Sequence, residues 1–117
     1  MSNNQILSKS KAFALRIIGL YRFLVEERKE FVLSKQVLRS GTSIGANTRE
    51  SVRAQSKADF YSKLNIALKE ADETAYWLEL LNESKYLDGT AFLSIYSDCQ
   101  ELIRLLVSIT KTQKVQK

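Results

Sequence analysis

The chain has 117 residues, a formal net charge of +5 and an apolar share of 44%, which predicts one domain over residues 1–117 with its own hydrophobic core. It contains no histidine and one cysteine, Cys99. This excludes histidine-ligated metals, zinc–thiolate clusters, intrachain disulfides and serine–histidine catalysis. No apolar run is long enough to span a membrane, and the first residues lack the layout of a secretory signal. We therefore expect a cytoplasmic protein with no membrane partner.

The first predicted helix, over residues 6–28, is apolar on two sides. Its core stripe recurs at helical spacing and consists of Ile6, Phe13, Ile17, Leu20 and Leu24. A second apolar stripe lies about 90° away around the same helix and consists of Leu7, Ala14, Ile18, Tyr21 and Val25. Because a helix that is apolar on two sides is usually buried on two sides, we expect this helix to have a second packing partner.

The second predicted helix, over residues 33–55, has a thin core stripe and a basic outer face. The core stripe is predicted to be Val37, Gly41, Ile44, Thr48 and Val52. Because glycine inside a helix costs about 1 kcal/mol relative to alanine, the small residues are expected to permit close approach of a neighbouring helix. Five cations lie far from this stripe within an arc of about 80°, and they are Lys35, Arg39, Arg49, Arg53 and Lys57.

The third and fourth predicted helices cover residues 57–84 and 89–111. Ser56, with Asp59 three residues later, is typical of a helix start, and Asp88 is expected to cap the fourth helix. The core stripe of the third helix is Phe60, Leu64, Ala67, Ala71, Ala75 and Leu78, and that of the fourth is Phe92, Ile95, Cys99, Leu102, Leu106 and Ile109. A second face of the third helix holds Ile66, Glu70, Glu73, Trp77 and Leu80. We expect no such second face on the fourth helix.

Four helices of similar length with short connections predict an all-α, antiparallel up-down four-helix bundle. The second faces of the first and third helices predict self-association, because an exposed patch that contains tryptophan is unfavourable in a monomer. The predicted oligomer interface consists of Ile18, Tyr21, Val25, Ile66, Glu70, Glu73, Trp77 and Leu80. The alternative is a wide single core with some exposed aromatic residues.

The basic stripe of the second helix is the strongest indication of a partner. Cations on one outward line are typical of a surface that follows a phosphate backbone, although Glu50 lies at the margin of this line. Since the second helix carries no aromatic residue that could stack on bases, contacts with RNA or DNA are expected to involve the backbone, with little sequence preference. The alternatives are a solvated face, or ion pairs with Glu70 and Glu73 across an interface.

Catalysis is not expected. Glu70, Asp72 and Glu73 are close in sequence, but Asp72 points to another side of the helix, and nothing marks a pocket that would separate two carboxyl pKa values. Gly41 and Gly45 are not followed by the Lys-Ser/Thr of a phosphate-binding loop. Cys99 lies in a core stripe and has no histidine to lower its pKa, so it is interpreted as a buried core residue. We predict a non-enzymatic protein without a cofactor or metal.

A family resemblance is carried by residues 33–51, which read LSKQVLRSGTSIGANTRES. This stretch resembles the signature of the four-helix bundle proteins encoded in intervening sequences of bacterial 23S ribosomal RNA genes, also labelled S23 ribosomal protein-like. The matching elements are Leu38-Arg39, Ser43-Ile44, Ala46-Asn47 and Glu50. The segment from residue 59 to residue 78 is also similar to the third helix of the family, so the resemblance covers about residues 10–108. Ser51 departs from the pattern, where many members have Gly or Ala.

The resemblance implies an up-down bundle that assembles as a ring, usually a homopentamer. It also implies similarity to the accessory variability proteins of diversity-generating retroelements, which are basic pentameric barrels that bind nucleic acid and a reverse transcriptase. The signature polar groups are interpreted as structural partners of Glu70 and Glu73, and they are Arg39, Ser43, Asn47 and Glu50. We therefore predict a homo-oligomer that presents basic surface to RNA or DNA. The alternative is a scaffold or adaptor whose charges serve assembly and a protein partner, for example a reverse transcriptase.

Overall fold

The computed structural model describes the backbone of residues 2–115 and the side chains of residues 5–112. It contains four helices, α1 (Ser2–Glu26), α2 (Leu33–Val52), α3 (Lys57–Glu83) and α4 (Gly89–Val115). No strand occurs in residues 2–115. The predicted all-α class is therefore confirmed. Among the helices described, none is both long enough and apolar enough to cross a membrane.

The helices pack as an elongated up-down bundle that measures 47 × 21 × 20 Å. Each helix contacts its neighbours in the chain, and α1 and α4 close the bundle. The seam between α2 and α3 is the most extensive, and the seam between α1 and α4 is the least. Ion pairs cross this last seam, since Lys9 lies 3.0 Å from Glu101 and Arg16 lies 2.7 Å from Asp98. Because α2 packs against α1 and α3, and α4 also packs against α1 and α3, α2 and α4 occupy diagonally opposite positions.

The core stripes predicted for α1, α3 and α4 meet inside the bundle, where nearly all their members are buried. Phe60 and Phe92 are half-buried at its edge. On α2 the prediction of Val52 as a core residue was wrong, because its side chain is 59% exposed while Ser51 is buried. From Val37 to Ser51, buried residues of α2 recur at alternating spacings of four and three residues. Position 51 therefore faces the core and position 52 faces solvent.

The connection between α2 and α3 explains why α2 ends earlier than predicted. The backbone N–H of Arg53 bonds to the carbonyl of Glu50, which tightens the last turn of α2. Ser56 has extended backbone, and its hydroxyl accepts the N–H of Asp59 at 3.0 Å, as predicted for the cap of α3. The Asp59 carboxylate accepts the N–H of Gln55. Residues 53–56 thus form the turn that starts α3 rather than a continuation of α2.

The start of α2 depends on a buried acid that the sequence pattern did not reveal. Glu30 is only 8% exposed, and its carboxylate accepts backbone N–H groups from Val32, Leu33 and Ser34 at 2.7–3.2 Å. These N–H groups have no partner inside the helix, and a negative charge at a helix N-terminus is favourable. Glu30 therefore fixes where α2 begins.

Small residues on α2 let α1 approach closely, as predicted. A Cβ atom built on Gly41 would lie 2.7 Å from Cγ1 of the buried Ile17. A Cβ atom on Gly45 would lie 3.4 Å from the backbone oxygen of Ser10. By contrast, a Cβ atom on Gly19 of α1 would meet nothing within 4 Å. The α1–α2 spacing therefore requires a hydrogen atom in place of a side chain at position 41.

Two buried hydroxyl pairs tie α2 to its neighbours. Ser10 and Thr48 join α1 and α2 with 3.0 Å between their oxygens, and Ser40 and Thr74 join α2 and α3 at 2.8 Å. All four residues are buried. Since a buried hydroxyl without a partner is costly, these pairs favour the observed helix register.

The Thr74→Val variant is expected to lower the free energy of unfolding by about 1–3 kcal/mol, because the buried Ser40 hydroxyl loses its partner while side-chain volume is nearly unchanged. Urea unfolding measures the effect. Thr42→Val is the matched control, since within residues 5–112 the Thr42 hydroxyl bonds only to backbone carbonyls of its own helix. Equal losses in the two variants would show that the α2–α3 hydroxyl pair has no special role.

Candidate nucleic-acid interface on helix α2

The structure separates the five predicted cations into three groups. Lys35 and Arg49 are exposed on α2, and Arg53 is exposed immediately after its last residue. Within residues 5–112 none of these three forms an ion pair with a carboxylate. Lys57 is exposed at the start of α3. Because α2 ends at Val52, the helical spacing that placed Lys57 on the same line does not hold. Arg39 has carboxylate partners within its own chain.

Arg39 forms a charged cluster across the α2–α3 seam. Its guanidinium lies 3.3 Å from a carboxylate oxygen of Glu70 and also pairs with Glu73. The Glu73 carboxylate accepts the indole N–H of Trp77 at 2.9 Å. Two carboxylates therefore compensate the Arg39 charge, which makes Arg39 a poorer phosphate ligand than its neighbours on α2. The cluster also holds the indole ring in one orientation.

The other signature polar groups do not meet Glu70 or Glu73 in the described side chains. Ser43 donates to the carbonyl of Arg39 at 2.7 Å, and Asn47 donates to the carbonyl of Ser43 at 2.9 Å. Glu50 pairs with Lys63 of α3 at 3.0 Å, and the hydrogen bond and charge of Glu50 raise the pKa of Lys63. Only Arg39 acts as the predicted partner of the two acids. The shorter side chains reach their own helix backbone first.

A groove of about 660 Å³ runs between α1 and α2 beside the unpaired cations. Its apolar side includes Leu7, Ala14, Ala46 and Val52, and its basic groups are Lys11, Arg49 and Arg53. Among the described side chains, no acidic residue lines it. Three like charges at one concave surface raise the local concentration of anions. Sequence reasoning missed Lys11, because the stripe was sought on one helix, although Lys11 follows Leu7 by one helical turn.

The predicted interface residues border α2 on both sides. Ile18, Tyr21 and Val25 are half-buried on α1, and they continue the stripe whose other members, Leu7 and Ala14, line the groove with α2. On α3, Trp77 is half-buried and Ile66 is 38% exposed. Glu70, Glu73 and Leu80 complete that stripe, and it faces α2 because both acids pair with Arg39. Each stripe is thus partly covered by its own chain and partly open.

Several other apolar side chains are exposed away from α2. Leu15 of α1 is 62% exposed, and α4 exposes Leu93 at 64% and Val107 at 46%. The two residues on α4 are fourteen positions apart. Singly exposed apolar side chains are common on protein surfaces. Leu93 and Val107 nevertheless lie on the same side of α4, with the half-buried Tyr96 and Ile103 between them, so α4 also carries a partly open apolar stripe, contrary to the prediction.

Cys99 is fully buried, and its sulfur lies 3.4 Å from the carbonyl oxygen of Ala71. Burial, with smaller contributions from the charges of Asp72 and Glu79, raises the pKa of the Cys99 thiol to about 12. A thiol must ionise to act as a nucleophile. The geometry therefore agrees with the interpretation of Cys99 as a core residue.

Above about pH 9, Cys99 is expected to make the protein less stable as the pH rises. The unfolded thiol, with an ordinary pKa of 9.0, ionises first, whereas the folded thiol keeps its proton up to about pH 12. The folded state then binds more protons, so the free energy of unfolding falls by about 1.4 kcal/mol per pH unit in this window and is unaffected below it. Urea unfolding should show a shallower alkaline slope for Cys99→Ala. Equal slopes would contradict the assignment.

Comparison with known proteins identifies the family. The family described as 23S rRNA-intervening sequence protein matches residues 2–108. The chain belongs to the 23S rRNA-intervening sequence protein family. A crystal structure of a protein with unknown function from the S23 ribosomal protein family of Bacteroides thetaiotaomicron is 59% identical, with a TM-score of 0.94 over 95% of this chain and 99% of that chain. No match was found among curated proteins.

Proposed function

We propose that this 23S rRNA-intervening sequence family protein is a non-enzymatic homo-oligomer, a ring of five copies as the family resemblance implies, that binds the backbone of RNA or DNA. The observation that carries this proposal is the group of three cations, Lys11, Arg49 and Arg53, at a groove that no acid among residues 5–112 lines. None of the three forms an ion pair within those residues. Phosphate groups along a strand provide the complementary charge. Lys35 extends the same basic surface along α2.

The self-association part of the proposal is supported by the two half-open apolar stripes. Trp77 is held in place by Glu73, and the exposed Tyr76 ring packs against it with 5.2 Å between ring centroids. Preorganised aromatic side chains are favourable interface residues, because little side-chain entropy is lost when a partner covers them. A second copy of the chain would cover this surface together with the stripe on α1.

Binding of a fluorescent mixed-sequence RNA, measured by anisotropy over a range of salt concentrations, tests the proposed function. If about three cations of one copy contact phosphate groups, the plot of log K against log salt concentration is expected to have a slope of roughly −2 to −3 for each copy that binds. Reversing two charges with Arg49→Glu and Arg53→Glu is expected to abolish binding while light scattering still shows the oligomer.

The matched control is the pair Arg22→Glu and Arg104→Glu, which makes the same charge change at exposed positions of α1 and α4. It is expected to retain at least half of the binding affinity. If the Arg49 and Arg53 variant loses the oligomer instead, these cations serve assembly, and the scaffold or adaptor function with a protein partner replaces the nucleic-acid proposal. Binding that is independent of salt would also overturn it.

A further inference from the structure

The partly open apolar stripe of α4 repeats with the same period as the core stripe beside it. The core stripe, from Phe92 to Ile109, alternates spacings of three and four residues. The outer stripe of α4 follows the same alternation one position later, and it consists of Leu93, Tyr96, Gln100, Ile103 and Val107. Two such stripes side by side are typical of a helix that packs against helices on two sides. The outer stripe remains uncovered by the chain's own helices at Leu93, which is 64% exposed, and at Val107, which is 46% exposed.

The outer stripe of α4 lies along the seam between α4 and α3, away from α2. The Tyr96 hydroxyl donates to the Glu79 carboxylate of α3 at 2.7 Å, which places the stripe beside that edge of α3. Glu79 is about 120° around α3 from the stripe that holds Trp77. Because α2 and α4 are diagonally opposite, the outer stripe is a separate surface from the basic groove and from the apolar stripes that border α2.

Charged side chains of opposite sign border the outer stripe of α4. Along its α3 side, Asp72, Glu79 and Glu83 follow one another at spacings of seven and four residues, which places them on one line of that helix. Within residues 5–112 none of these three acids forms an ion pair. Along the other side, α4 carries the exposed Arg104. A partner that covers the stripe therefore meets acids on one flank and a cation on the other.

Tyr96 is ordered before any partner arrives. Its ring stacks on Phe92 with 4.7 Å between ring centroids, while Glu79 holds its hydroxyl. An ordered aromatic side chain loses little entropy when a partner covers it, and such residues are frequent anchors of interfaces. Gln100 is the one polar member of the stripe. A single polar residue in a heptad seam restricts the register of the helices that meet there.

We infer that the outer stripe of α4 is a docking surface for one amphipathic helix of another protein, with lysine or arginine side chains along the flank that lies over α3. Heptad spacing favours a helical partner, because the stripe repeats with the period of a facing apolar seam. The free acids of α3 favour a basic flank. From Leu93 to Val107 the stripe is about 21 Å long, so about four turns of a partner helix would cover it. The inference does not depend on RNA binding or on self-association.

Two designed peptides test this inference. Both are helices of about 18 residues with leucine at the heptad a and d positions, and they differ only in one flank, which carries lysine in the first peptide and glutamate in the second. Fluorescence anisotropy of the labelled peptides measures their binding to the full chain. The lysine peptide is expected to bind about tenfold more tightly than the glutamate peptide, because only its flank is complementary to the acids of α3.

Leu93→Glu tests the apolar part of the surface. It is expected to weaken binding of the lysine peptide by about tenfold or more, because the new carboxylate would be buried under the docked helix. Leu15→Glu is the matched control, since it makes the same change at a position of α1 that is 62% exposed, compared with 64% for Leu93. This control is expected to keep the wild-type affinity for the lysine peptide.

Reversing charges tests the acidic flank. Asp72→Lys combined with Glu83→Lys changes two exposed side chains of α3, and it is expected to make the glutamate peptide the better ligand. Glu79 is left in place because it holds Tyr96. The matched control is Glu26→Lys with Glu27→Lys, which makes the same charge change at two exposed positions where α1 ends. The control is expected to preserve the preference for the lysine peptide.

Three results would overturn the inference: no binding of the lysine peptide, equal affinities for the two peptides, or equal binding by the Leu93→Glu and Leu15→Glu variants. The Leu93→Glu variant is expected to keep the wild-type mass in light scattering and the wild-type affinity for RNA. A lower mass would assign the outer stripe to a contact between copies and would also overturn the inference. If the wild-type protein binds the lysine peptide but no RNA, the proposed function fails while the docking surface stands.

Discussion

Gly41→Val is expected to lower the free energy of unfolding by about 2–3 kcal/mol, because the new side chain overpacks a filled interface. The first added carbon would lie 2.7 Å from Cγ1 and 2.9 Å from Cγ2 of Ile17. These atoms lie close to the Ile17 backbone, and Ile17 is fully buried, so they cannot move aside without displacing α1. Urea unfolding at one fixed protomer concentration measures the effect, since the proposed oligomer would make stability concentration-dependent.

Gly19→Val is the matched control for this prediction. Position 19 lies inside α1 with open space around it, so the substitution is expected to change stability by less than about 0.5 kcal/mol. Combining Ile17→Ala with Gly41→Val should cost less than the sum of the two single changes, because the smaller alanine makes room for valine. Similar losses at positions 41 and 19, or strict additivity in the double variant, would mean that close approach of α1 and α2 is not what requires glycine.

Val25→Glu is expected to convert the proposed oligomer into folded monomers of 13.4 kDa. Val25 is half-buried at the edge of α1 beside α2, so glutamate can reach water in the monomer but would be buried without a partner under a second copy. Burying an unpaired charge costs several kcal/mol. This cost is larger than the binding free energy that one apolar side chain contributes to an ordinary interface. Light scattering reports the mass, and circular dichroism reports whether the helices remain.

Leu15→Glu is the matched control, because it places the same charge on the same helix at an aliphatic position that is 62% exposed. We expect the oligomer to persist in this variant. The reverse result, with Leu15→Glu monomeric and Val25→Glu unchanged, would place the interface on the outward face of α1 and would remove the argument that α2 lies between two contact surfaces.

Helical periodicity was sufficient to predict the bundle and most of its core. The stripes on α1 and α4 are regular, so their members could be assigned from spacing alone. Val52 was misassigned because spacings of three and four are both compatible with a helix face, and only the position of the helix end decides between residues 51 and 52. The role of Glu30 was missed because a charged run resembles a solvated loop until the fold buries it.

The candidate site was only partly predictable, because ionic contacts depend on which helices are neighbours. The spacing of the α2 cations was visible in the sequence, but the pairing of Arg39 with Glu70 and Glu73 requires the α2–α3 seam. Lys11 joins Arg49 and Arg53 only when α1 packs beside α2. A search along one helix cannot find a groove between two helices.

We propose that sister copies cover the apolar stripes on α1 and α3. The most direct measurement is the mass of the wild-type protein in solution, determined by light scattering with size-exclusion chromatography at a fixed, moderate salt concentration. We expect a single species of several copies, at five times 13.4 kDa if the ring has the size that the family resemblance implies. A single species of 13.4 kDa at every concentration tested would contradict it.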